Sequence, residues 1–316
     1  MKTEIKKILN LKKFFTITEL NSGNISYTYK KPSKILLQNI KSEWLKFTYT
    51  KTCLHFPVYL NELKTGKIDK LKPYGFISMS TPLQKQVYFE ECTLDATCTK
   101  PTSELSFNVV LSEQDVMQYF MQWQRYRKYW WSSVTTTPSL FTLSDIKHKN
   151  NNANVNIIAN FDWGPRIVET ISVNTDAGIS HLNCKMPFED ALFTLLFDAL
   201  NNCTEEEYLH INRKMAPYKI AIALDYKDSK DFDTLKDLST FIMHKLRNIS
   251  MTCTNTMMPL ETQIKENFKV GVPYTAVISE NTLTNGIFHL LNSSTILKEQ
   301  LHLADFEAYA TLLCGN

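Results

Sequence analysis

The chain has 316 residues, of which 43% are hydrophobic and 21% charged, and its formal net charge is +3. This length leaves room for two domains with separate cores, and the composition is that of a globular protein, which excludes a disordered chain. No apolar run approaches the roughly 20 residues that a membrane-spanning helix requires, so we expect no membrane partner.

Positive charge is concentrated at the N-terminus. Residues 1–51 contain eleven lysines and three glutamates, a net charge of +8, which leaves −5 for the remaining residues. The first 1–30 residues form a basic segment whose opening, MKTEIKKILNLKKFF, puts Ile5, Ile8 and Phe15 roughly on one face. This pattern is typical both of a mitochondrial transit peptide and of a lysine-rich first helix, and both interpretations stay open.

The first half of the chain predicts strands followed by a helix. The segment CLHFPVYLNELK, interrupted by Pro57, predicts an edge strand or a loop. Aromatic and β-branched residues between turn signals predict an antiparallel sheet over 73–111, and apolar residues at helical spacing predict a helix over 112–131. The asparagine-rich tract 135–155 predicts a loop. Strand patterns then return, followed by a predicted amphipathic helix over 187–200.

The end of the first predicted helix, QWQRYRKYWW, interleaves cations with aromatic rings. Cations neutralise phosphates and rings stack on bases, so the pattern predicts DNA contacts. The alternative, which we favour, is a helix end whose rings fill the core while the cations stay in water. Two lysines of the asparagine-rich tract extend the candidate DNA-binding set, which is Arg125, Arg127, Lys128, Lys147 and Lys149.

The last hundred residues alternate between strand and helix patterns. The predicted elements are a strand over 218–224, a helix through Leu235 and Leu246, a strand over 249–254, a helix that ends at Gly271, and two strands over 274–278 and 287–291 joined by the polar turn ENTLTNG. A last helix is predicted to carry Leu297, Leu301, Ala304 and Tyr309 on one face.

No motif for catalysis or metal binding is present. The seven cysteines form no C-x-x-C pair and no Cys/His cluster, which predicts reduced thiols and no metal site. The sequence has no P-loop, no dinucleotide fingerprint and no H-E-x-x-H motif. We therefore expect a protein that is not an enzyme and needs no cofactor.

The C-terminal pieces APYKIAI, VPYTAVI, NTLTNGIFHL and TILKEQLH resemble the anticodon-binding domain of class II aminoacyl-tRNA synthetases. Synthetases usually read Arg-x-Arg-Asp-Thr where this chain has residues 291–295, LNSST, so the cations of an RNA-reading surface are absent. The run 295–299 followed by His302 is similar to a non-synthetase family of that superfamily, the accessory (processivity) subunits of mitochondrial DNA polymerase gamma. QRYRKYWW and NFDWGPRIVETISV resemble the same family more loosely.

An active class II synthetase also needs a Phe-Arg-x-Glu motif and a late glycine-rich motif that ends in arginine. Arg166 and Glu169 have residue types of the first motif, but Trp163-Gly164-Pro165 precedes them. The place of the second motif is taken by PFEDALFTLLFDAL, which has neither glycine nor arginine. ATP would therefore lack its guanidinium clamp.

The resemblance implies an α/β (α+β) fold. Residues 31–205 would form a degenerate synthetase-like core built on an antiparallel sheet, and residues 216–316 an anticodon-binding-like domain with a mixed sheet and three helices. No segment matches the helical insertion that makes the vertebrate form a dimer. The resemblance is thus to the shorter insect-type subunit, which implies a monomer that binds one catalytic subunit.

The implied function is that of a non-catalytic accessory subunit in the mitochondrial matrix and nucleoid. It would bind the catalytic subunit of DNA polymerase gamma and double-stranded or primer-template DNA, and would raise processivity. The contacts to the catalytic subunit that the resemblance implies are Leu283, Asn285, Ile287 and Phe288, with Lys298 and His302 on the last helix. An alternative for that strand is that Ile287 and Leu290 belong to the core.

Two other functions remain open on the sequence alone. The first is a tRNA-binding class II synthetase or a degenerate paralogue of one. The second is an interaction domain that binds no nucleic acid.

Overall fold

The computed structural model of the chain describes residues 7–21, 24–60, 73–80, 87–90, 103–149, 152–176, 179–203, 208–226, 229–249, 251–253 and 257–314. The chain divides into two compact units: unit 1 is Met1–Asn10, Phe15–Tyr29 and Ile40–Leu195, and unit 2 is Leu11–Phe14, Lys30–Asn39 and Leu196–Asn316. The predicted α/β class is confirmed, since both units combine sheets with helices. Residues 1–6 of the basic N-terminal segment lie outside the described residues, and 7–9 are helical.

Antiparallel strands dominate unit 1. A small sheet joins β1 (Phe15–Asn21), β2 (Asn24–Tyr29) and β5 (Val87–Glu90). A large sheet contains β3 (Val58–Leu60), β4 (Tyr74–Ser80), β6 (Glu104–Ser112), β7 (Phe141–Leu143), β8 (Lys147–Lys149), β9 (Asn152–Phe161), β10 (Gly164–Asp176) and β11 (Ile179–Pro187). Within the described residues its order is β3-β4-β6-β11-β10-β9-β7, with β8 paired to β9. The segment with Pro57 thus leads into an edge strand, as predicted.

Alternation of residue types gives the large sheet one apolar face and one polar face. Phe107 of β6 is buried on the first face, and its neighbour Asn108 lies on the second. The register extends the polar face across the sheet, because Asn108 pairs with Asn183, Asn183 with Ser172, and Ser172 with Asn154.

Three helices accompany these sheets: α1 (Lys31–Thr52), α2 (Val116–Val134) and α3 (Phe188–Asn201). The predicted helices over 112–131 and 187–200 are therefore confirmed, except that α2 starts at Val116 because Ser112 is still part of β6. Helix α2 packs on the apolar face of the large sheet, where the ring of Trp123 lies 4.7 Å from that of Phe107 and the ring of Trp131 lies 5.3 Å from that of Phe141. Burial of these rings stabilises the packing of α2 on the sheet.

Unit 2 contains a mixed sheet. Its strands are β12 (Ile220–Asp225), β13 (Met251–Cys253), β14 (Tyr274–Ser279), β15 (Ile287–Asn292) and β16 (Lys298–His302), and its remaining helices are α4 (Ser229–Lys245), α5 (Leu260–Lys269), α6 (Glu280–Asn285) and α7 (Phe306–Cys314). The order is β13-β12-β14-β15-β16, in which the first three strands are parallel and the last two antiparallel to their neighbours. Continuous apolar runs in β12 and β14 fit strands that are covered on both faces.

The helix predicted to end at Gly271 does end there, because Gly271 has a φ of +72°. A Cβ at this position would lie 2.6 Å from the side chain of Ile211, so only glycine fits. On the same helix, the buried Gln263 amide donates to the Leu224 carbonyl at 2.9 Å and accepts from the Leu224 N–H at 2.9 Å. These bonds fix α5 against β12.

The predicted turn ENTLTNG is wrong, because residues 280–285 form the short helix α6. Ser279 and Thr282 form a capping box in which the Ser279 N–H donates to Thr282 Oγ1 at 3.1 Å. Gly286 ends the helix with a φ of +72°. The Ser-x-x-Thr spacing indicates a helix start and the glycine a helix end, and both are visible in the sequence.

The predicted last helix is wrong over its first half. Residues 298–302 form the edge strand β16, and α7 starts only at Phe306. Leu297 and Leu301 are four residues apart, which fits a helix, but the free edge of β15 offers backbone partners that an added strand satisfies. Lys298 and His302 therefore lie on a strand.

The predicted asparagine-rich loop over 135–155 is also wrong in part. Residues 141–143 and 147–149 form β7 and β8, and β9 starts at Asn152. The asparagines at 154 and 156 occupy the polar face of the sheet, where an amide side chain costs little because it stays accessible to water.

Candidate nucleic-acid and partner interfaces

Arg127 lies in the core of unit 1 and not on its surface. Its Nε donates to Glu169 Oε1 at 2.7 Å and its Nη2 to Glu169 Oε2 at 3.1 Å, and neither side chain is exposed. Trp131 Nε1 donates to the same carboxylate at 2.8 Å, and the guanidinium carbon lies 4.5 Å from the Trp130 ring centroid. This correction to the predicted DNA-binding set follows from burial, since a guanidinium sealed in the core cannot reach a phosphate. The favoured alternative is right about Trp130 and Trp131, which are buried, and wrong about this cation and about Tyr129, which is 65% exposed.

The buried pair also affects a neighbouring thiol. Burial, and then the charge of Glu169, raises the pKa of Cys184 well above its usual range, while Arg127 opposes the shift. Cys184 is therefore an inert core residue. Cys53, Cys203 and Cys314 are also unbridged among the cysteines whose side chains the structure describes.

The outer side of α2 does carry accessible cations. Arg125 is exposed, Lys128 is half-buried, and the helix contains no acidic residue. Tyr129, one turn after Arg125, leaves 65% of its surface in water. Because the charge of Arg127 is neutralised by Glu169, the free positive charge of this helix lies on the solvent side.

Helix α1 adds a third cation to this side. The Lys51 ammonium lies 4.9 Å from the Tyr126 ring centroid and 5.6 Å from that of Phe47. The Phe47 ring in turn lies 6.4 Å from the ring of Tyr129. We call Lys51, Arg125, Lys128 and Tyr129 the basic α2 surface.

Lys147 occupies a different face of unit 1. It is exposed on β8 and pairs in register with Asn154, so it belongs to the polar face of the sheet, opposite the face that α2 covers. Lys149 pairs with Asn152 at the backbone, and its side chain lies outside the described residues. The structure therefore does not bring the predicted DNA-binding residues together in one surface.

The polar face contains a cleft of about 290 Å³. It is lined by Phe76, Ser78, Ser80, Glu104, Ser106, Asn108, Asn183 and Lys185. Its amides bond to one another, with Asn183 Nδ2 donating to Asn108 Oδ1 at 2.6 Å, and Lys185 lies 3.6 Å from Glu104. The cleft is thus polar and close to neutral, and the described residues include no His, Cys, Asp or Glu group that could hold a metal ion.

The two synthetase-motif residues do not point at a common site. Arg166 is buried and pairs through Nη2 with Asp190 of α3, whereas Glu169 pairs with Arg127. The register shifts between Ile167 and Glu169, which marks a β-bulge between the two side chains. Both charges are therefore neutralised inside unit 1.

Four of the six predicted partner contacts lie together at one end of the β15–β16 hairpin. Ile287 pairs in register with His302, and its N–H donates to Asn285 Oδ1 at 2.9 Å. Leu283 precedes them on α6, and 37% of its surface and 38% of that of Ile287 are exposed. Lys298 is exposed at the other end of β16, opposite Leu291.

Phe288 is the buried member of the predicted set, and its burial is a correction to that set. It is only 1% exposed, and its ring packs 4.7 Å from that of Phe306. The alternation along β15 therefore buries Phe288 and Leu290 and leaves Ile287 outside, which corrects the alternative that placed Ile287 in the core.

Comparison with known proteins finds several proteins that this chain resembles. The chain is 25% identical over 246 residues to DNA polymerase subunit gamma-2, mitochondrial, of Drosophila melanogaster, a match that covers 68% of each protein. The Xenopus laevis protein of the same name is 24% identical over 230 residues. That match covers 61% of this chain and 50% of the relative. The Bos taurus DNA polymerase subunit gamma-2 is 20% identical over 244 residues, or 66% of this chain and 50% of the relative.

This chain is similar to the DNA polymerase subunits gamma-2 of these three animals. The resemblance to polymerase gamma subunits that the C-terminal motifs predict is confirmed. Two of these relatives are named as mitochondrial proteins, in agreement with the predicted localisation. The matched region spans about two thirds of the Drosophila relative and half of the two vertebrate ones. No family model matches the chain.

Three residues of these surfaces were missed as candidates in the sequence. Lys51 lies 65 residues before the first residue of α2, so its place beside Tyr126 follows only from the fold. Ile296 and Leu297, at the turn before β16, are 60% and 65% exposed, whereas the helical pattern grouped Leu297 with Leu301 on one face of a helix. Among the described residues, no helix is long and apolar enough to cross a membrane.

Proposed function

We propose that this chain is a non-catalytic accessory subunit of the mitochondrial replicative DNA polymerase, which binds the catalytic subunit and raises its processivity. The similarity to gamma-2 subunits over about two thirds of the chain carries the proposal. Two features of unit 1 support it. Arg166 and Glu169 are both held in internal ion pairs, and the basic α2 surface provides cations without neighbouring acids on its helix.

The proposed mechanism is slower dissociation from DNA. A polymerase that holds primer-template through its own contacts gains a second phosphate-contacting surface when the accessory subunit is bound. Lys51, Arg125 and Lys128 would each displace counterions from the DNA backbone, so the gain in affinity should decrease as salt rises. The chemistry of nucleotide addition would remain entirely in the catalytic subunit.

Docking on the catalytic subunit is assigned to unit 2. The exposed side chains Leu283 and Ile287 form an apolar centre, and Asn285 and His302 lie beside them as polar groups. An apolar centre with a polar rim is the usual composition of a protein interface. Lys298 would contact the partner at the far end of β16, and one copy would bind one catalytic subunit.

The domain identities are part of the same proposal. Unit 1 would be a degenerate synthetase-like core, which its antiparallel sheet supports. Unit 2 would be an anticodon-binding-like domain, which its mixed five-stranded sheet with α4 and α5 supports. The predicted borders at residues 31–205 and 216–316 remain predictions.

The experiment measures how tightly the catalytic subunit binds primer-template DNA with and without this chain, over a series of salt concentrations. The mass of the complex, measured in the same samples, gives the stoichiometry. We expect a one-to-one complex that binds DNA more tightly than the catalytic subunit alone, with a difference that decreases at high salt. Failure of the two proteins to associate at any salt would refute the proposal.

A further inference from the structure

The basic α2 surface differs from a plain phosphate-binding patch in having an exposed aromatic ring at its centre. Tyr129 leaves 65% of its surface in water, although it is flanked by Arg125 one turn before it and by Lys128 directly before it in the chain. Four residues along a helix correspond to about 6 Å. A backbone phosphate at Arg125 therefore leaves an adjacent base within reach of the ring.

The ring is also held in place from beneath. Tyr129 lies 6.4 Å from Phe47, and the Lys51 ammonium lies over both Phe47 and Tyr126. The contact with Phe47 limits the orientations of the Tyr129 ring, and the third cation, Lys51, lies over the same Phe47 ring. A stacking platform that is ordered before it binds loses less entropy on binding.

We propose that the basic α2 surface binds single-stranded DNA, with Tyr129 stacking on an unpaired base and Lys51, Arg125 and Lys128 contacting phosphates. In a duplex the base faces are already covered by neighbouring bases, so an exposed ring gains nothing there beyond what the cations provide. In a single strand every base has a free face, and stacking on an aromatic side chain is tolerant of sequence. This proposal rests on the proposed function, since the DNA bound would be the unpaired template next to the primer end.

The chain offers a matched control for the ring. Tyr49 on α1 is also 65% exposed, but it lies two residues after Phe47, about 200° around the helix, and so points away from the basic α2 surface. The Tyr49→Ala variant removes an equally exposed ring from the same unit. The Tyr129→Phe variant keeps the stacking face and removes only the hydroxyl.

The test measures binding of the full chain to a labelled thirty-nucleotide oligo-dT and to a duplex of equal length. We expect Tyr129→Ala to weaken binding to oligo-dT by roughly 5- to 100-fold, the range for loss of one stacked base. Tyr129→Phe and Tyr49→Ala should bind as the unchanged chain does, and the duplex affinity of Tyr129→Ala should also be unchanged. Equal unfolding midpoints would show that the variants fold normally.

Two results would overturn the inference: oligo-dT affinity that does not respond to Tyr129→Ala, or an equal loss of duplex affinity in that variant. Neither result tests the proposed function. That function is tested separately, by whether the unchanged chain increases the affinity of the catalytic subunit for primer-template DNA. If that effect is present while Tyr129→Ala binds oligo-dT normally, only the single-strand inference fails. If the effect is absent while oligo-dT binding depends on Tyr129, only the accessory role fails.

Discussion

Arg127 and Glu169 form a two-point ion pair in the core of unit 1, with Nε–Oε1 and Nη2–Oε2 distances of 2.7 and 3.1 Å. The pair joins α2 to β10 and uses the one cation in QWQRYRKYWW that helical spacing places on the buried side. The role of the pair is structural. Arg127 is therefore a core residue, whereas Arg125, Lys128 and Lys147 of the predicted DNA-binding set are accessible to solvent.

Removal of one partner should therefore destabilise unit 1 strongly. Arg127→Met leaves the Glu169 carboxylate buried with only the Trp131 N–H as a donor among the bonds described above, and we expect a loss of about 3–5 kcal/mol in the free energy of unfolding. Denaturant unfolding followed by tryptophan fluorescence measures this. Arg125→Gln, which removes an exposed arginine of the same helix, is the control, with an expected change within about 0.5 kcal/mol.

Removal of the outer cations should change DNA binding without changing stability. The double variant Arg125→Gln/Lys128→Gln is expected to reduce the slope of log affinity against log salt by about 1.4 for single-stranded DNA, since each phosphate contact contributes about 0.7. Lys147→Gln, on the opposite face of the sheet, should leave the slope unchanged. A change of slope with Lys147→Gln alone would place the DNA on the polar face instead.

A negative charge beside Leu283 and Ile287, at the end of the β15–β16 hairpin away from its turn, should weaken docking on the catalytic subunit. Leu283→Asp and Ile287→Asp put carboxylates into the proposed apolar centre and should weaken binding to the catalytic subunit at least about tenfold each, or 1.4 kcal/mol. Leu312→Asp, at an apolar residue of α7 that is 77% exposed, makes the same chemical change elsewhere in unit 2 and should have no effect. If all three variants bind the catalytic subunit as tightly as the unchanged chain does, this end of the hairpin is not the interface.

Acid should remove one surface contribution to the stability of unit 2. The hydrogen bond from Lys13 lowers the pKa of the Glu266 carboxyl, against the opposing effect of burial. Because the folded-state pKa is lowered, the contribution is present above the ordinary carboxyl pKa of about 4.3 and is lost as the pH falls through the folded-state value.

Glu266→Gln should therefore unfold more easily at pH 7, by no more than about 1 kcal/mol, because the Lys13 side chain is about half exposed and water screens the pair. The difference should vanish under acid conditions in which the carboxyl of the unchanged chain is protonated. Glu261→Gln on the same helix serves as the control, and urea unfolding at the two pH values is the measurement. A difference that persists in acid would mean that the contribution is not electrostatic.

The sequence predicts local elements of this fold well where one signal dominates. The apolar run of β12 and the glycine after α5 both specify their structure through nearest neighbours in the chain, and both predictions are confirmed. The segment 297–302 shows the limit. The spacing of its leucines fits a helix. The segment forms a strand because its backbone hydrogen-bonds to β15, and the spacing of residues within the segment does not reveal this long-range pairing.

The candidate site shows the same limit. Arg127 lies four residues after Trp123 and four before Trp131, so helical spacing alone places it on the buried face. Its partner Glu169 is 42 residues away, and no local pattern identifies it. Lys51 joins the basic α2 surface through a similar long-range contact. Residue types thus indicate which groups are available, while pairing across the fold decides which of them reach the surface.

The most direct test of the central claim is primer extension by the cognate mitochondrial catalytic subunit during a single encounter with DNA, with a trap that captures dissociated polymerase. Product lengths are compared with and without this chain at several salt concentrations. The account predicts longer products when the chain is present, with a gain that shrinks as salt rises. Products of the same length at every salt concentration would contradict it.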